Sequence, residues 1–149
     1  MKKITAIIAI TLLAALLFTG CDFIPMEKDF SQYGFTFSIA GDVIDKDSNM
    51  NGFAQFDTKY GSITFTKMLL DLGFSEASIA KSCESKEAVE GKGTIYFFAA
   101  DEDGNVVTHF FTKDADGTTW MVSCSTPEAN YSKLMITLFY KSIEFVTAE

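Results

Sequence analysis

Chemistry needs groups that can attack, ligate or move a proton, and this chain carries few of them. It has one histidine, His109, and three cysteines, Cys21, Cys83 and Cys124. His109 lies in Val107-Thr108-His109-Phe110-Phe111, an apolar stretch without a nucleophile elbow or other local motif. A zinc site of three histidines cannot be built from one, and a catalytic triad needs partners that no local motif supplies. A Cys–His pair of His109 with Cys83 or Cys124 is formally available; the plainer reading is a strand histidine packed on a sheet.

The 20 Asp and Glu residues could hold a glycosidase-like acid pair. Nothing in their order sets two carboxyls about 5–10 Å apart across a cleft. The run Asp45-Lys46-Asp47-Ser48-Asn49 begins like a calcium loop and then departs from it, with Met50 in the Gly place and Phe56 where a bidentate Glu belongs. Residues 101–105 and 114–117 depart likewise, with Thr112 and Ser125 at the Glu position, and read as solvated turns. No catalytic, metal-ligating or cofactor-binding set is assigned, and no cofactor is expected.

Cys21 is different. Lys2 and Lys3 precede residues 4–18, a run without charge in which only Thr5 and Thr11 interrupt the apolar side chains, and Thr19-Gly20-Cys21 follows. A short positive segment, an apolar core and a small-residue close make a signal peptide. The run is shorter than the roughly 20 residues that cross a hydrocarbon core of about 30 Å. Thr19-Gly20-Cys21 resembles the lipobox of bacterial lipoproteins, with Phe18 where that family prefers Leu and Leu17 one residue upstream. The resemblance implies cleavage before Cys21, a diacylglyceryl thioether on its sulfur and attachment to the outer side of a cell membrane. In a Gram-negative host, Asp22 would imply retention at the inner membrane. Ordinary secretion with Cys21 in a disulfide, or an uncleaved anchor, are the other readings.

With Cys21 acylated, Cys83 and Cys124 remain as an even pair. Outside the cytoplasm they could close a loop of about 40 residues, a stabilisation of roughly 3–4 kcal/mol in the chain-entropy model. Two buried free thiols are the alternative. A redox role has no CxxC behind it.

The elements that must position these groups belong to one domain. Removing residues 1–20 from the 149 leaves 129, the size of a single domain. The division expected is signal peptide 1–20, tether 21–29 and domain 30–149. The formal charge is −8 for the whole chain and −10 once Lys2 and Lys3 are gone, and there is no Arg. Such a surface repels nucleic acid and lacks the planar fork used for phosphate and base edges.

Residues 22–29 carry Pro25 and no periodicity. Tyr33, Phe35, Phe37 and Ile39 then alternate with small residues as a half-buried strand. Residues 40–52 read as a loop. Strands are expected over 53–58 and 62–68, with Phe56, Ile63 and Phe65 in the core. Ser75 and Glu76 open a short helix carrying Ile79, Ala80 and Cys83, and Gly91-Lys92-Gly93 ends that region. Runs 94–100, 106–113 and 118–125, separated by Asp-Gly turns, predict an antiparallel meander. Ser125 and Glu128 form a capping-box pair around Pro127, ahead of a helix with Tyr131, Leu134, Met135, Leu138 and Phe139 on its apolar face. Ile143 and Phe145 close the chain as a strand.

This order, ending in Ser142-Ile143-Glu144-Phe145, resembles the PsbP-like fold. The resemblance implies an α+β domain, an antiparallel β-sheet flanked by helices in an α/β/α sandwich, with an accessory role. The expectation is a lipid-anchored, extracytoplasmic, non-enzymatic domain whose partner is an envelope protein, an envelope polymer or a small ligand. A carboxylate hydrolase working at a sheet edge and a calcium-dependent envelope module are the alternatives.

Overall fold

The computed structural model describes residues 25–49, 52–68 and 76–146. The signal segment, the lipobox and Cys21 lie outside the described residues.

Alternation of apolar and polar residues builds most of what is seen. A seven-stranded antiparallel sheet runs in the order β3 (Val43–Asn49), β4 (Phe53–Thr58), β5 (Gly61–Lys67), β9 (Thr119–Pro127), β8 (Asn105–Lys113), β7 (Gly93–Ala100), β6 (Ser85–Val89). A second, three-stranded sheet sets β2 (Phe35–Ile39) between β1 (Met26–Phe30) and β10 (Glu144–Phe145). Helix α1 spans Glu76–Ser82 and helix α2 spans Lys133–Ser142.

The meander is β7, β8 and β9, as the Asp-Gly turns predict. In each turn the first Asp folds the backbone with its own carboxylate: Asp101 Oδ1 accepts from the amides of Asp103 and Asn105, and Asp114 Oδ1 from those of Asp116 and Thr118. Gly104 and Gly117 then take φ of +76° and +79°, which a side chain would resist.

One face of the large sheet carries Phe56, Ile63, Phe65, Ile95, Phe110, Val122 and Trp120, all buried. The small sheet and α2 lie over it as one layer. Phe35 stacks on Phe65 with centroids 4.0 Å apart and rings 3° from parallel, and Phe37 meets Phe139 of α2 edge-on at 5.4 Å. Each fully buried ring contributes on the order of 2–3 kcal/mol by leaving water. The layer therefore holds through aromatic burial.

The expected α+β sandwich, with helices flanking the sheet, is overturned: the domain is β-rich, and its second layer is mostly a second sheet. The physical reason lies in helix length and burial. Helix α1 has seven residues and buries none of them, so it cannot serve as a layer. The run 33–39 pairs with β1 and β10, and the helix that would have covered that area is absent among the described residues.

Local expectations shift as well. The expected loop 40–52 contains β3, whose Lys46 pairs with Asp57 at 3.3 Å across to β4. The expected tether is already strand from Met26, which pairs with Ile39. Residues 125–127 continue β9, so the Ser125–Glu128 box does not cap α2. Ser132 does, accepting from the Met135 amide. The buried stripe of α2 is Ile136, Phe139 and Tyr140, whereas Leu134 and Leu138 are 67% and 45% exposed.

Candidate functional site

Strand β9 begins beside one hollow and ends beside another. At its start, Trp120, Lys67 at the end of β5, the turn residues Asp114 and Asp116, Tyr33 and Phe145 line a cleft of about 210 Å³. At its end, Thr126, Tyr60, Ile39, Pro25, Leu138 and Phe139 line a narrow apolar hollow of about 50 Å³. Six residues of strand put roughly 20 Å between them.

In the cleft, Asp114 is the best-held group. Its Oδ2 accepts from Trp120 Nε1 at 2.9 Å while Oδ1 takes the two turn amides. Burial alone would push its pKa up; the Trp120 N–H, the Thr118 and Asp116 amides and the nearby Lys67 charge outweigh that and hold the carboxyl below its ordinary value. Lys67 Nζ lies 5.8 Å from the centre of the Trp120 ring, and Phe145 packs on the same indole at 5.3 Å. Gly52 closes one wall at φ +97°, where a Cβ would stand 2.5 Å from that of Lys67. On the far side Tyr33 donates to Asp45 at 2.9 Å, and that carboxylate raises the Tyr33 pKa.

This arrangement can bind a small polar group through the Asp114 carboxylate, the Lys67 ammonium and ring edges. It is not an acid-base pair: an Asp114 held ionised is the opposite of a general acid. The supposed calcium run is strand β3. Among the described residues, no group of three or more His, Cys, Asp or Glu residues could hold a metal ion.

His109 sits on the other face of the large sheet. Its Nδ1 is 2.7 Å from Ser123 Oγ on the neighbouring strand, Phe98 meets its ring edge-on at 5.4 Å, and burial lowers its pKa. Sequence reading missed this contact because it depends on the β8–β9 register, which sets His109 opposite Ser123. Both are one residue off the row that faces the core, so His109 and Cys124 point to opposite faces. No carboxylate bonds the second ring nitrogen among the described residues, so a triad is not assembled.

Cys83 and Cys124 are both free thiols, and the expected bond is not formed. Sheet order explains this. Cys124 pairs with Thr108, Thr108 with Phe97 and Phe97 with Ser85, so three strand spacings, about 14 Å, separate β9 from β6. Cys83 lies just before β6 with its thiol donating to the Ala80 carbonyl at 3.5 Å, whereas a disulfide needs Cα atoms within about 7 Å. Cys124 is buried beside Tyr140, and burial pushes its pKa up to about 12.

The described residues contain no helix long and apolar enough to cross a membrane. No family model matches the sequence, and no curated protein is significantly similar to it.

Proposed function

We propose that this protein is a lipoprotein attached through Cys21 to the outer side of a cell membrane, where its domain acts as a non-enzymatic binding module. The observation that carries the reading is the N-terminal sequence: Lys2-Lys3, an uncharged apolar run and Thr19-Gly20-Cys21. Two or three acyl chains, at about 0.8 kcal/mol per buried methylene, give a durable tether.

The layout of the domain supports it. Strand β1 starts at Met26 and carries the chain from the apolar hollow toward the aromatic and acidic cleft. Cys21 precedes Pro25 by four residues, a reach of at most about 14 Å. The apolar hollow would then lie at the anchored end of the domain and the polar cleft at the far end of the strands, open to a small ligand or an envelope partner.

Intact-mass analysis of the protein extracted from membranes tests the anchor. The expected result is loss of residues 1–20 and a diacylglyceryl mass on the new N-terminal residue. An unmodified Cys21, or a Cys21→Ser variant that stays with the membrane as firmly as the parent, would overturn the reading.

A further inference from the structure

Helix α2 carries two apolar stripes, and the core uses only one. Ile136, Phe139 and Tyr140 are buried, while Leu134 and Leu138, one turn apart on the opposite side, are 67% and 45% exposed. Pro25 and Leu138 share the wall of the apolar hollow. Leu134 and Leu138 form an apolar strip on the outer side of α2, which meets the rim of the hollow at Leu138 and Pro25, where the chain enters from Cys21.

Charge singles out the same layer. β1, α2 and β10 together carry Lys28, Lys133 and Lys141 against Glu27, Asp29 and Glu144, so the layer is balanced. Most of the other acids that the structure describes lie on the large sheet and its turns, Asp101, Glu102 and Asp103 at the same end among them. A lipid surface can therefore approach this layer without the repulsion the turns would meet.

We infer that the patch of Pro25, Leu134 and Leu138 lies on the bilayer to which the protein is anchored, so that the domain rests on the membrane on the α2 side of its second layer. This deepens the anchored reading and rests on it. The length of chain decides the occupant: Pro25, at the edge of the patch, is four residues on from Cys21 and so within about 14 Å of it, and apolar side chains beside it seat at the boundary of headgroups and acyl chains.

The test uses the full chain, processed and lipidated, in vesicles of equal parts phosphatidylcholine and phosphatidylglycerol. In a Cys83→Ser background, Leu134→Cys, Leu138→Cys and, at the distal turn, Ala115→Cys each take an environment-sensitive fluorophore. All three sites are exposed, and unchanged melting temperatures verify the fold. The expected result is blue-shifted emission at 134 and 138, with several-fold stronger quenching by nitroxide-labelled lipid than at 115. Equal quenching at all three sites, with the lipid present on Cys21 by mass, overturns the docking and leaves the anchor standing. Crosslinking of two copies through position 134 assigns the patch to self-association and also overturns it. An unmodified Cys21 in soluble protein removes both readings.

Discussion

The Tyr140 hydroxyl donates to the Thr108 carbonyl at 3.0 Å and lies 2.8 Å from the Thr108 hydroxyl, joining α2 to the middle of the large sheet in a fully buried site. Cys124 lies beside this pair, and burial, together with that thiol, pushes the Tyr140 pKa well above its ordinary value. The phenol is therefore a neutral donor in the native state. Tyr140→Phe leaves a buried carbonyl and hydroxyl short of a partner. The expected cost is about 1–3 kcal/mol, read as a lower urea midpoint with an unchanged m-value. An unchanged midpoint would show that the contact contributes nothing.

The two thiols make a second prediction. Cys124 is buried while Cys83 is partly exposed, and the sheet keeps them apart. In a Cys21→Ser chain, which removes the third thiol, one equivalent should react with an aromatic disulfide reagent in the folded protein and a second only in guanidinium. Reductant should leave the melting temperature unchanged. A chain with no titratable thiol in denaturant would contain the bond after all.

Much of the large sheet was legible, and the reason is local. The strand pattern of β4, β5 and the meander is written in alternation and in Asp-Gly turns, signals that act over fewer than ten residues. The second layer was not legible, because Phe35 and Phe37 show that one face is buried without showing against what. Leu134 and Leu138 misled because α2 carries apolar residues on two sides, and only the packing of Phe139 on Phe37 selects one. The cleft depends on long-range meetings, such as Trp120 with Phe145 and Tyr33 with Asp45, that no local motif encodes. The distance between the two thiols is not legible for the same reason: an even count of cysteines carries no strand order.

Lys92 provides a third test, on how the second layer is fastened. From the β6–β7 turn its ammonium donates to the Lys141 and Ile143 carbonyls at 2.7 and 2.9 Å and pairs with Glu144. It thereby satisfies carbonyls at the C-terminal end of α2 and favours the negative end of the helix dipole. Lys92→Met should cost about 1–2 kcal/mol, since the carbonyls lose a charged donor. Glu144→Gln should cost less than about 1 kcal/mol, because that carboxylate is mostly exposed. Equal losses from the two variants would mean that the ion pair, not the helix end, is what matters.

The pH dependence of stability separates two sets of groups. Burial against Phe98 and the sheet lowers the His109 pKa, so the native state favours the neutral ring and the unfolded chain binds the extra proton first. The contribution of His109 is then complete above about pH 6.5 and is lost as pH falls below that value. Asp114 and Asp29 are also lowered, the latter by the Ser31 amide, and their contributions are complete above about pH 4 and lost below it. Urea midpoints measured from pH 8 to pH 3 should therefore fall in two stages. His109→Gln, whose amide can still reach Ser123, should abolish the upper stage and leave the lower one in place. If the upper stage persists in that variant, another group titrates there and His109 is not the source.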